Sequence, residues 1–185
     1  MQVALVERAR AGDEEAFASL ARAAGDRLLS IAFRILRDLG LAEDAVQQTL
    51  VLAWRELPRL RDVERFDAWL HRLLVNTCYR ETRRGRRWAG NVRVLSIDEP
   101  AGSDDMLSVV HRDQLERGFR RLPPEQRAVF VFHHYLGLTL LEVADQLGVP
   151  LGTVKSRLHY ATNTLRAALE ADLRTSTDTS RERLA

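Results

Sequence analysis

Cysteine is almost missing from this chain. Cys78 is the only one in 185 residues, which excludes an internal disulfide framework and a cysteine-rich zinc site. Long apolar runs are absent too, and none approaches the roughly 20 residues that a membrane span requires. The first residues are charged and helix-like rather than a secretory signal, so the expected compartment is the cytoplasm. Lysine is as rare as cysteine: Lys155 stands alone among 28 basic residues. That arginine and alanine bias fits a GC-rich coding sequence. The five histidines (His71, His111, His133, His134 and His159) form no metal-spaced set with acids, and no nucleophile–base pattern appears. The pattern argues against an enzyme, and no metal or other cofactor is expected.

What is present suits a globular protein. Hydrophobic residues make up 45% and charged residues 29%, enough to bury a core in one or two small domains. The net charge of +2 is unevenly spread. Residues 1–75 carry 11 basic and 12 acidic groups, whereas residues 76–93 carry six arginines and one glutamate. Residues 94–116 reverse this with one arginine and six acids, and the remainder holds ten basic and seven acidic groups. Such alternation points to separate surfaces with different partners.

Hydrophobic spacing predicts helices throughout. Asp13 can cap one that contains Phe17 and Leu20, and Leu28–Leu36 forms a more apolar one ended at Asp38-Leu39-Gly40. Ala42–Leu57 places Val46, Leu50 and Trp54 on one stripe before Pro58 stops it. Arg59–Arg65 is a polar loop. Phe66–Arg84 follows as a helix with Phe66, Trp69 or Leu70, Leu73 and Thr77 inward. Pro100, Gly102 and four nearby acids make Val94–Asp105 a solvated linker. Beyond it lie a helix to Leu122, a Pro123-Pro124 corner and a helix over Glu125–Tyr135. The tail from Thr175 is polar and expected to be disordered. The predicted fold class is all-α: two small helical domains joined by a flexible acidic linker, with boundaries at 1–90, 91–108, 109–172 and a tail at 173–185.

Thr139–Leu169 carries the sharpest local pattern. Thr139 and Glu142 form a capping box, Val143, Ala144 and Leu147 give an inner face, and Gly148 and Pro150 end the helix. A second helix starts near Gly152 with Val154, Leu158, Ala161 and Leu165 on its buried stripe. Its other side offers Lys155, Ser156, His159, Tyr160 and Asn163. That is a helix-turn-helix whose second helix presents polar groups to a major groove. A plain helical hairpin with a solvated outer face is the competing reading.

A second constellation is basic. Arg72, Asn76, Arg80 and Arg83 share one helical face, and Arg84, Arg86 and Arg87 extend it. Arg59, Arg61 and Arg65 lie on the preceding loop, near Phe66, Trp69 and Trp88. Arginines hold phosphates, and aromatic or guanidinium planes stack on unpaired bases. The mixture suits melted single-stranded DNA, although Phe66 and Trp69 also fit as core residues.

Four segments in order, RARAGDEEAF, AEDAVQQTLVLAW, FDAWLHRLLVNTCYRETRR and LPPEQRAVFVFHHYLGLTLLEVADQLGVPLGTVKSRL, resemble bacterial sigma factors of the extracytoplasmic-function (ECF) group. The resemblance spans nearly all of residues 5–169. It implies a protein without catalytic activity that binds core RNA polymerase, on its clamp helices and flap, and directs it to promoter DNA. It further implies that Asp44, Gln47, Gln48 and Val51 dock on the polymerase. Arg61, Arg65, Arg72, Asn76, Arg80, Arg83 and Arg84 would bind the −10 element, where relatives capture an extruded base at the loop. Lys155, Ser156 and Tyr160, helped by Thr153, Arg157 and His159, would contact the −35 element. Tyr160 stands where relatives usually have arginine, Thr162–Thr164 replace basic residues, and Tyr79-Arg80-Glu81-Thr82 also departs from the common pattern. With no acidic N-terminal inhibitory domain expected, restraint would come from an anti-sigma factor. The rival reading is a free-standing helix-turn-helix regulator, which leaves the Ala42–Arg87 domain without a role.

Overall fold

Two aspartates start the long helices of the N-terminal half. Asp13 accepts from Ala16 N–H at 3.0 Å, and Asp38 accepts from Leu41 N–H at 2.9 Å; each satisfies a backbone donor that a first helical turn leaves open. In this computed structural model the backbone is described for residues 2–88 and 115–182, and side chains for 2–84 and 115–170. Among the described residues there is no strand. The all-α expectation holds. The acidic segment 91–108 lies outside the described residues, as do the side chains of Arg86, Arg87 and Trp88.

The N-terminal module contains α1 (Gln2–Arg10), α2 (Glu14–Leu36), α3 (Leu39–Glu56) and α4 (Phe66–Trp88). Two predicted segments, around Phe17 and at Leu28–Leu36, prove to be the single helix α2. Gly25 does not break it, because an interior glycine costs only about 1 kcal/mol against alanine and no proline intervenes. Arg37 ends α2 in the left-handed region (φ 58°), its N–H reaching Phe33 carbonyl at 2.7 Å. Helix α3 therefore begins at Leu39, three residues before the predicted start. Its fully buried face is Ala42, Ala45, Thr49 and Ala53, while Val46, Leu50 and Trp54 flank it half-buried. Small side chains on that face let α2 and α4 approach closely, which a search for large apolar residues misses. Thr49 Oγ1 satisfies itself on Ala45 carbonyl at 2.6 Å.

In α4 the buried side chains are Phe66, Leu70, His71, Leu74, Val75, Thr77, Cys78 and Glu81, so Leu73 and Trp69 are only half-buried. The stripe is wider than predicted because α4 is covered twice, by α2 and α3 on one side and by the helices at Pro124–Phe130 and Leu140–Leu147 on the other.

The C-terminal module contains helical residues 115–121 (α5), α6 (Pro124–Phe130), a π-helical turn at Val131–Tyr135, α7 (Leu140–Leu147) and α8 (Leu151–Glu182). Gly118 lets α5 sit directly on α8: an added Cβ would lie 3.0 Å from Leu165 Cδ2 and 3.2 Å from Ala168 Cβ. The tail expected to be irregular from Thr175 continues α8 to Glu182. No glycine or proline follows Gly152, and Ser, Thr and Asp in a helix cost only fractions of a kcal/mol each, up to about 0.7.

The two modules share one apolar cluster. Ala128, Val129, Val131 and Phe132 join Ile31, Ile35, Leu74, Val75 and Cys78 in it. Burial pushes the Cys78 thiol up to about 12, so it stays protonated and unreactive at neutral pH. No helix among the described residues is long and apolar enough to cross a membrane.

Candidate nucleic-acid interface

The hairpin at the C-terminal end is built as its capping residues require. Thr139 Oγ1 accepts from Glu142 N–H at 3.3 Å, and Glu142 carboxylate accepts from Thr139 N–H at 2.7 Å. The Thr139 hydroxyl also donates to the Glu142 carboxylate at 2.7 Å, and that bond first, then the one from Thr139 N–H, lowers the Glu142 pKa. Gly148 takes the left-handed conformation (φ 65°, ψ 37°) that ends α7. Val149 N–H then returns to Ala144 carbonyl at 3.1 Å, and Val154 N–H reaches Pro150 carbonyl at 3.2 Å to start α8. Val154, Ala161 and Leu165 are buried on α8 and Leu158 is half-buried.

Opposite that stripe, Lys155, Ser156, His159 and Tyr160 are exposed, with Thr153 and Arg157 half-exposed at the edges. Tyr160 keeps 60% of its surface in solvent. His159 Nε2 meets Asn163 Nδ2 at 2.9 Å, and the His159 and Tyr160 rings stand edge-on with centroids 5.8 Å apart. The face is amphipathic and only thinly cationic, so it suits base edges more than bulk phosphate binding.

The second surface surrounds the loop between α3 and α4. Two short 3₁₀ turns, Leu57–Arg59 and Val63–Arg65, shape it; Asp62 accepts from Glu64 N–H at 3.0 Å at the second. Arg10 from α1 donates to Leu60 carbonyl at 3.3 Å and pins the loop from behind. A cavity of about 370 Å³ opens here, lined by Arg61, Asp62, Arg65, Trp69 and Arg72 together with Asp145 and Gln146. Phe66 is core, at 4% exposure, whereas Trp69 is half-buried and turns into the cavity beside it. The cavity thus has an aromatic wall and a guanidinium rim, and its volume suits one planar base. Asn76, Arg80, Arg83 and Arg84 continue the exposed face along α4.

The third group is separate. Asp44, Gln47 and Val51 are exposed on α3, with Gln48 and Leu52 half-buried. Gln47, Gln48, Val51 and Leu52 line a shallow groove that Arg80 closes. Val51 keeps 58% of its surface exposed, so an apolar side chain waits at the centre of a polar rim. Arg80, predicted for DNA, sits at the junction of the two surfaces, its Nη2 donating to Thr77 Oγ1 at 3.0 Å.

The contacts between modules were not legible beforehand. Arg65 pairs with Asp145, and Arg72 donates to Asp145 carbonyl at 2.7 Å and Gln146 carbonyl at 3.1 Å. Buried His71 meets Gln146 at 3.3 Å through Nδ1 and Phe132 edge-on at 5.8 Å. Desolvation chiefly lowers the His71 pKa, with Arg27 adding to it and Gln146 and Asp67 opposing. On the far side Arg37 pairs with Glu116, and the Arg34 guanidinium lies 3.9 Å from the Tyr135 ring centroid. These partners are 75 or more residues apart in most cases, and no local pattern signals them. Among the described residues no cluster of three or more His, Cys, Asp or Glu could hold a metal.

Several known proteins share these features. Residues 20–88 match the family model for sigma-70 region 2, and residues 112–165 match sigma-70 region 4. The ECF RNA polymerase sigma factor SigL of Mycobacterium tuberculosis is 34% identical over 86% of this chain and 94% of its own. SigM of the same species is 35% identical over 80% of this chain and 74% of its own. Among solved structures, CnrH in complex with the cytosolic domain of CnrY superposes with a TM-score of 0.67 at 26% identity, covering 92% of this chain and 98% of CnrH. The sigma factor RpoE of Bartonella quintana, in complex with the anti-sigma factor NepR, gives 0.67 at 28% identity over 84% and 98%. Both modules, in this order and on one chain, make it a member of the ECF group of RNA polymerase sigma factors.

Proposed function

We propose that this chain binds core RNA polymerase through the α3 groove and reads promoters with its two DNA faces, the α4 cavity taking the −10 element and α8 the −35 element. The observation that carries the reading is the pairing of unlike DNA surfaces on one chain. A cavity walled by Trp69 and rimmed by Arg61, Arg65 and Arg72 fits an unpaired base, while α8 presents side chains to intact duplex. A free-standing helix-turn-helix regulator needs only the second of these and leaves residues 20–88 unexplained. Asp44, Gln47, Gln48 and Val51 form the docking surface for the polymerase clamp. The chain performs no catalysis itself, works in the cytoplasm and, like RpoE in its complex with NepR, takes an anti-sigma partner.

In vitro transcription with core enzyme on a promoter library tests this. Lys155→Ala or Ser156→Ala should lower transcription from −35-dependent promoters about tenfold, in line with about 1–3 kcal/mol per base contact, and leave core affinity unchanged. Asp44→Ala or Gln48→Ala should weaken core binding on every promoter. Specific promoter binding by the protein alone, or the two mutant classes exchanged, would refute the assignment.

A further inference from the structure

Helix α1 has no part in the three surfaces above, yet it touches one of them at two points. It precedes residues 20–88, the segment that matches sigma-70 region 2. Arg10 donates from Nη1 to Leu60 carbonyl at 3.3 Å, and Gln2 donates from Nε2 to Asp67 Oδ1 at 3.0 Å. Both bonds land beside the cavity. Leu60 lines it next to Arg61 and Asp62, and Asp67 stands immediately before the lining residues Ala68 and Trp69. Leu60 N–H already reaches Leu57 carbonyl at 3.0 Å, so Arg10 satisfies the remaining backbone group of that residue. Between the two ties α1 packs on both short turns of the loop. Val6 is fully buried there, and Leu5, Leu60 and Val63 lie half-buried against the same apolar cluster. The end of α1 that carries Arg10 is itself fixed to α2. Asp13 N–H reaches Arg8 carbonyl at 3.1 Å, and Arg8 pairs with the Asp13 carboxylate at 2.6 Å.

We infer that α1 is a positioning brace for the −10 site: Arg10, acting through Leu60 carbonyl and helped by Gln2 on Asp67, holds the loop in the shape that receives an unpaired base. This rests on the −10 assignment above and adds residues outside the cavity to it. Residues 57–65 contain only two single-turn 3₁₀ segments, Leu57–Arg59 and Val63–Arg65, which hold few bonds of their own. An external tie supplies the order they lack. The main tie ends on a backbone oxygen, so it fixes the path of the chain rather than one side chain. Extruding a base already costs its pairing and stacking, and a loop ordered beforehand adds no further ordering cost to capture. Arg10 and Gln2 touch no base in this scheme; they act through Leu60 and Asp67.

The test uses the full chain assembled with core enzyme on a promoter selected from the library, with 2-aminopurine in place of each −10 non-template adenine in turn. Its fluorescence rises when the base leaves the stack, so stopped-flow reads capture directly. Arg10→Ala should lower the rate of opening about fivefold, the effect of one partly buried hydrogen bond from a charged donor. Adding Gln2→Ala should take the loss to about tenfold. Arg10→Lys, which keeps a charged donor, should recover part of it. Arg22→Ala removes the same charge from an exposed position on α2 and should open like the natural chain. Core affinity and the thermal unfolding midpoint should stay unchanged in all four variants, which a merely structural role would not allow. Natural opening in Arg10→Ala, or an equal loss in Arg22→Ala, overturns the brace. So does a loss matched by an equal fall in core affinity or by a lower unfolding midpoint. Trp69→Ala serves as the separate check on the cavity: if it leaves opening unchanged, the −10 assignment fails, whereas a loss in Trp69→Ala with none in Arg10→Ala sinks the brace alone.

Discussion

Gly148→Ala is the most informative single substitution, because it loads two separate costs on one atom. At φ 65° and ψ 37° an alanine Cβ crowds its own carbonyl, which costs about 1–2 kcal/mol. The same Cβ would also lie 2.7 Å from Arg72 Nη2 and 3.2 Å from its Cζ, inside contact distance. A guanidinium is the mobile end of a long side chain, so it moves rather than the backbone. Moving it gives up the bonds to Asp145 and Gln146 carbonyls; hydrogen bonds to charged groups contribute about 1.5–3 kcal/mol when buried, and this exposed pair falls below that, near 1 kcal/mol. The total is about 2–3 kcal/mol, or roughly 4–12 °C in a protein of this size. Urea unfolding in a double-mutant cycle separates the parts. In an Arg72→Ala background the clash is gone, so Gly148→Ala should then cost only the backbone strain, leaving a coupling near 1 kcal/mol. Equal costs in the two backgrounds would show that Gly148 merely ends α7. A cost below about 0.5 kcal/mol in both would refute the left-handed turn itself, since surface substitutions away from special sites stay within that range.

Two further outcomes follow from the interface. The Tyr79 hydroxyl is buried without a hydrogen-bond partner among the described residues. Tyr79→Phe should therefore stabilise the protein by about 1 kcal/mol in thermal unfolding, the cost of an unsatisfied buried hydroxyl being about 1–3 kcal/mol; destabilisation would mean that the hydroxyl has a partner. His71 is held neutral by burial against Phe132 and Gln146, with Arg27 and Asp67 as the charged groups that act on it. Its folded pKa lies below the ordinary 6.5, so the unfolded chain binds the proton first. Its contribution is complete above pH 6.5 and is lost as pH falls below that. Unfolding midpoints at pH 7.5 and 5.5 should differ more in the natural chain than in His71→Gln, and equal differences would remove His71 from the pH response.

Local chemistry made half of this molecule readable. Asp13, the Thr139–Glu142 box, Gly148 and the Val154–Leu165 stripe each act within a few residues, and each stands where the sequence places it. The exposed faces of α4 and α8 follow from the same periodicity. Errors arose where burial is decided at a distance. The α3 core face of Ala42, Ala45, Thr49 and Ala53 is chosen by how closely α2 and α4 approach, not by its own hydrophobicity. The wide buried face of α4 exists because the C-terminal module covers it. Asp145 is a plain surface charge in sequence, and only the fold brings it to Arg65 and Arg72.

The distribution of positive charge sets the two proposed DNA faces apart. The α8 face carries Lys155, with Arg157 half-exposed beside it, so its proposed affinity for DNA would depend mainly on base-edge contacts that only the right duplex can complete. Such a face offers little sequence-independent binding. Residues 59–87 hold Arg59, Arg61, Arg65, Arg72, Arg80, Arg83, Arg84, Arg86 and Arg87, a density that would grip any single strand through its phosphates. Arginine cannot be neutralised by deprotonation at any physiological pH, so such a surface is masked only by other anions. Asp145 supplies one such anion to Arg65, whose side chain stays 56% exposed. A face that binds by charge grips any strand, whereas a face that binds by sequence discriminates.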